Sequence, residues 1–192
     1  MTARTLVKAL ALAAALMPLA AAATVVMQLT MEELADRSPV IVRATVEGSK
    51  PVARADGSIW TVTRLAVTER LKGAGTAQVV VKQPGGEIGG RGQRVLGTAK
   101  FREGDDVIVF LEPSVDEKNV FVVQGLASGK VNIETINGQK VAVRHLDGLS
   151  FAKSGTGRVQ QVENLDRLGT VDAFLSRLRA ATTPPAGQGG AH

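Results

Sequence analysis

The chain reads as mainly β: a single small barrel or sandwich with a short N-terminal helix and a C-terminal helix. Three observations predict this. Residues 40 to 46 alternate with period two, which lays Val40, Val42, Ala44 and Val46 on one face. Asn137-Gly138 separates two strand-like stretches, 131–136 and 139–143, and Asn-Gly supplies the positive φ angles of a type I′ hairpin turn. Helix-capping signals stand at both ends of this strand-rich region.

In chain order, residues 1–23 follow the secretory pattern. Arg4 and Lys8 precede the apolar run Leu10-Ala11-Leu12-Ala13-Ala14-Ala15-Leu16-Met17, Pro18 breaks it, and Ala21-Ala22-Ala23 supplies small residues for a signal peptidase. Cleavage is expected before Thr24, within two residues. The run is shorter than the roughly 20 residues a membrane-spanning helix needs. No transmembrane segment is expected once the leader is removed, and the location expected is periplasmic or secreted.

Thr30-Met31-Glu32-Glu33 forms a capping box, with Leu29 and Leu34 placed as a hydrophobic staple, so a helix is expected over 31–37. Pro39 disfavours α geometry at Ser38 and stops it. After the 40–46 strand, Ala55-Asp56-Gly57-Ser58 reads as a turn. Residues 59–71, rich in Thr, Val, Ile and Trp, suit a long bending strand that Lys72-Gly73-Ala74-Gly75 ends. Further strands are expected at 77–82, 107–112 and 120–124. The 107–112 strand is apolar on both faces and therefore central. Residues 85–92 read as a long loop. Thr170 caps a closing helix whose Val171, Phe174, Leu175 and Leu178 form one buried stripe. The Pro-, Gly- and Ala-rich stretch 182–192 has no apolar anchor and is expected to be disordered, which leaves 24–181 as a single β-rich domain.

Composition excludes several chemistries. With no cysteine there are no disulfides, thiolate metal ligands or cysteine nucleophiles. Without the leader's Arg4 and Lys8, 21 basic residues face 18 acidic ones, and a net charge of +3 is too mild to imply nucleic acid or an anionic membrane. One Trp, five Phe and no Tyr offer few stacking platforms for bases, so no nucleic-acid partner is expected. Trp60 is read as a core residue, with a surface anchor as the alternative.

Candidate sites are few. Gly85-Gly86-Glu87-Ile88-Gly89-Gly90-Arg91-Gly92 resembles a nucleotide loop only in its glycines. It lacks Gly-Lys-Ser/Thr and is followed by Arg94-Val95-Leu96-Gly97 rather than by a helix. As a loop on a rigid scaffold it is the candidate binding loop, through Gly85, Gly86, Glu87, Arg91 and Arg94. His145, Asp147 and Ser150 are triad residue types without a nucleophile elbow, and read as turn and surface residues. One internal histidine cannot build a zinc site. Asp105, Asp106, Asp116 and Glu117 lack calcium-loop spacing. No catalytic residue, metal or cofactor is therefore assigned.

An order of pieces over roughly half the chain resembles a group of bacterial exported proteins distantly similar to the netrin-like domains of tissue metalloprotease inhibitors. The pieces are Leu29-Thr30-Met31-Glu32-Glu33-Leu34-Ala35-Asp36, Thr61-Val62-Thr63 through Leu71-Lys72-Gly73, Gln83-Pro84-Gly85-Gly86, and Phe101-Arg102-Glu103-Gly104-Asp105-Asp106 through Leu111. The resemblance implies an OB-like Greek-key barrel. It does not carry over zinc chelation by an N-terminal cysteine, because the expected new N-terminus is Thr24. The function expected is an exported, non-enzymatic binding or inhibitor-like module whose partner is another extracytoplasmic protein. The alternatives are an extracytoplasmic hydrolase and an envelope structural protein.

Overall fold

The computed structural model describes residues 24–27, 29–152, 159–160 and 165–183; the expected leader and all but the first two residues of the expected tail lie outside them. Its elements are β1 (Thr24–Met27), α1 (Met31–Arg37), β2 (Val40–Ala53), β3 (Ile59–Lys72), β4 (Gln78–Pro84), β5 (Gly86–Ile88) and β6 (Arg91–Gln93). Then follow β7 (Asp106–Pro113), β8 (Val120–Val123), a 3-10 turn (Leu126–Gly129), β9 (Lys130–Ile136), β10 (Gln139–His145), β11 (Leu149–Ala152), β12 (Val159–Gln160), β13 (Leu165–Thr170) and α2 (Val171–Thr182).

Five strands close on themselves. β2 pairs antiparallel with β3, β3 with β4, β4 parallel with β8, β8 antiparallel with β7, and β7 antiparallel with β2. This ring is an OB-like Greek-key barrel. Closure requires the long strands to coil, and β2 does so through register shifts at 41/42, 43/44 and 46/48. Beyond the ring, β9, β10 and β13 extend the sheet from β7; β9 takes the edge at Val107–Val109 and β8 takes it at Leu111–Pro113. A separate small sheet joins β1, β11 and β12.

The doubly apolar reading of β7 is explained by two cores on its two faces. Val107, Val109 and Leu111 point into the barrel with Val40, Val42, Ala44, Val46, Leu65 and Val81. Ile108 and Phe110 point outward, where Ile41, Val131 and Ala142 meet the helices through Leu34, Phe174, Leu175 and Leu178. Each fully buried side chain of this size contributes roughly 1.5–3 kcal/mol.

The capping box forms as expected: Thr30 N–H donates to Glu33 Oε2 at 2.8 Å, and Glu33 N–H to Thr30 Oγ1 at 3.1 Å. The 131–143 hairpin has the expected turn, with Asn137 at φ 51° and Gly138 at φ 77°. Lys72-Gly73 also acquires a cause. The Lys72 ammonium caps α1 by donating to the Ala35 carbonyl at 2.6 Å, and a Cβ on Gly73 would stand 2.5 Å from the Pro39 carbonyl oxygen.

Two expectations are corrected. Residues 85–92 are not one long loop: β5 and β6 form a hairpin, because Gly89-Gly90 takes φ of 57° and 77° and makes the same kind of turn as Asn-Gly. Trp60 belongs to neither core. It is half-buried outside the barrel between two cations, with Arg54 Cζ 4.9 Å and Lys82 Nζ 5.3 Å from its ring centroid.

Candidate functional site

A cleft of about 670 Å³ lies between the connection from β6 to β7 and the β9–β10 hairpin. Strand alternation builds its floor. Val131 turns toward the helices, so its neighbours Lys130 and Asn132 turn to the opposite face. There the β6–β7 connection crosses beneath the sheet and covers Lys130, whose side chain is 6% exposed.

The Lys130 ammonium donates to the Lys100 carbonyl, stands 3.5 Å from Asp105 Oδ2, and lies 5.0 Å from the Phe101 ring centroid. It thus staples the crossing connection to the sheet. Burial pushes the ammonium below the ordinary lysine range, and the nearby Arg102 guanidinium pushes the same way; Asp105 and Glu134 oppose them without winning. A cation held this dry is costly, so its place at the floor of a cleft rather than in a packed core is informative.

The carboxylates lining the cleft are all engaged. Asp105 faces Lys130, Asp147 accepts from Lys100 at 3.2 Å, and Asp106 is gripped by Arg43 at 3.0 and 2.7 Å. Glu134 Oε1 shares a 2.6 Å hydrogen bond with His145 Nε2. Two lining cations are not engaged: among the described residues, neither the Arg102 nor the Lys140 side chain donates to any acceptor.

A second hollow of about 330 Å³ adjoins the first through Thr98, Ala99, Lys100 and Asp147. It receives three of the five residues of the candidate loop, Gly85, Gly86 and Arg94, while Glu87 and Arg91 sit apart on the β5–β6 hairpin. The two glycines have packing work there. Gly85 N–H donates to the Ile59 carbonyl at 2.8 Å and its own carbonyl accepts from Thr61 Oγ1 at 2.7 Å, while a Cβ on Gly86 would stand 2.9 Å from Thr61 Oγ1.

His145 and Asp147 line the large cleft, yet His145 turns to Glu134 and Asp147 to Lys100, so they do not join as a relay. The four carboxylates weighed for calcium do not converge: Asp105 faces Lys130, Asp106 faces Arg43, and Asp116 and Glu117 share Arg54 and Lys82.

A separate charge cluster lies beside the end of β4. The turn after β2 and the loop after β7 meet there, with Arg54 Nη2 2.6 Å from Asp116 and 3.0 Å from Glu117. Lys82, 4% exposed, donates to Asp116 and, at 2.8 Å, to Glu117. Burial alone would lower the Lys82 ammonium, but its two carboxylate partners more than offset this and hold it above the ordinary lysine range. Lys82, Ser114 and Arg54 in turn hold the Asp116 carboxyl far below its usual range.

Sequence reasoning missed Lys130, Arg102 and Lys140. Alternation from Val131 could have placed Lys130 on the non-helical face, but its cover comes from residues 25 to 30 positions upstream. No family model matches this chain, and no curated protein matches it.

Proposed function

We propose that this protein is an exported binding module and that the cleft floored by Lys130 is its ligand seat. The observation that carries the reading is a solvent-open hollow of about 670 Å³, within the range of ligand sites, with a desolvated ammonium at its base. Two further features support it. The Arg4–Lys8 leader with its Ala21-Ala22-Ala23 motif favours action outside the cytoplasm. The clamp between the turn after β2 and the loop after β7 occupies Arg54, Lys82 and the Trp60 ring, groups that could otherwise hold and stack an oligonucleotide.

The absence of cysteine makes a direct test simple. The full chain is expressed with Thr135→Cys, a thiol on the cleft wall, and in parallel with Val115→Cys, a thiol on the clamp loop. Fractionation is expected to recover both outside the cytoplasm with a new N-terminus within two residues of Thr24. Incubation with concentrated extracytoplasmic extract is expected to slow maleimide labelling at position 135 and not at 115. Retention in the cytoplasm refutes the export reading; equal labelling at both positions refutes the cleft.

A further inference from the structure

We infer that the ligand of this cleft is a carboxylate compound presenting two separated acidic groups, one to Arg102 and one to Lys140. The inference rests on the cleft being the ligand seat.

Charge accounting carries it. Every lining carboxylate already faces a cation or His145, whereas among the described residues the Arg102 and Lys140 side chains make no hydrogen bond or ion pair. Counting Arg43, which holds Asp106, five side-chain cations stand against four carboxylates, so one positive unit is unbalanced with His145 neutral and two with it protonated. These two cations stand on opposite walls, Arg102 on the β6–β7 connection and Lys140 on β10. Two monoanions can meet the two walls separately, whereas one compact dianion such as phosphate would concentrate its charge close to Glu134 and Asp105. A neutral donor completes the lining, the Asn132 amide. The repulsion between Arg102 and Lys130 points the same way, because a carboxylate drawn to Arg102 relieves it. The same chemistry can arrive as a small dicarboxylate or as neighbouring Asp and Glu side chains of a partner.

The test uses the full chain and the variants Arg102→Gln, Lys140→Gln and the double variant. Both residues are exposed, so the variants are expected to keep the parental melting temperature. Calorimetric titration with glutarate, acetate, inorganic phosphate and a hexaglutamate peptide separates the possibilities. Either glutarate or hexaglutamate is expected to bind more tightly than acetate and phosphate, with a loss of roughly tenfold for each cation removed and weakening in salt. Preference for glutarate identifies a small molecule, and preference for the peptide identifies an acidic segment. The thiol at position 135 is then read in the double variant. Loss of protection by extract supports the acidic ligand even if the pure probes bind weakly. Undiminished protection, or phosphate binding more tightly than glutarate and hexaglutamate, overturns it while leaving the cleft as a seat. Absence of protection in the chain carrying Thr135→Cys alone removes the seat itself.

Discussion

Two lysines with almost no exposed surface, Lys82 and Lys130, are shifted in opposite directions. Lys82 is covered by the side chains that neutralise it, Asp116 and Glu117, which themselves remain about half exposed. Lys130 lies deep under the β6–β7 connection with a single carboxylate, Asp105, at the limit of hydrogen-bond reach and a second cation, Arg102, nearby. Low accessibility alone therefore does not set the state of an ammonium; the number and closeness of its anionic partners decide. The difference also separates a saturated charge cluster from a cleft that keeps unspent positive charge.

The contrast can be broken most severely at Asp105. Asp105→Asn leaves Lys130 covered without its anion, and a loss of roughly 2–3 kcal/mol is expected in chemical denaturation, below the usual penalty for a sealed pair because the Asp105 side chain is 24% exposed. An unchanged midpoint refutes the pairing.

Lys130→Met is the gentler case, since it removes the desolvated charge together with its cost, and at neutral pH a change within about 1 kcal/mol is expected. The pH dependence is more telling. The folded state holds Lys130 below its unfolded value, so between the two values the unfolded chain binds more protons and stability rises with pH. The parent is thus expected to gain stability relative to Lys130→Met as pH climbs toward the ordinary lysine range; a constant difference between the two contradicts the shift.

The smallest effect is expected at the clamp. Glu117→Gln removes one exposed carboxylate and leaves Asp116 on both Arg54 and Lys82, so the unfolding midpoint is expected to move little. Trp60 emission reports the change, because Arg54 and Lys82 each lose one anchor over its ring. In the parent, Asp116 is held below the ordinary carboxylate range, so its contribution is present above that range and lost only in stronger acid. Trp60 emission is accordingly expected to stay constant through mildly acidic pH. A shift there denies the clamp.

Local chemistry was legible in the sequence, and long-range cover was not. The Thr30 capping box, the Asn137-Gly138 turn, the Val171–Leu178 stripe and the two-faced strand at β7 each follow from neighbours within a few positions. Gly89-Gly90 carried a readable turn signal that the surrounding glycines obscured. β13 was missed because Leu165–Thr170 shows no clean alternation; it is ordered as an edge beside β10. The cleft follows from no local pattern. Lys130 becomes a floor only when residues 98 to 105 pass under it, and Trp60, on the face of β3 opposite Leu65, is flanked by cations from two other segments.

β7 gives alternate side chains to two hydrophobic centres and lends one edge to β8 and β9 in turn. Detaching the helical layer would bare Ile108 and Phe110 on the back of the very strand that fills the barrel, so neither half can melt while the other stands. Two cores joined through one shared wall behave as a single cooperative unit, and calorimetry should record one heat-absorption peak where the two cores on the faces of β7 would lead one to look for two.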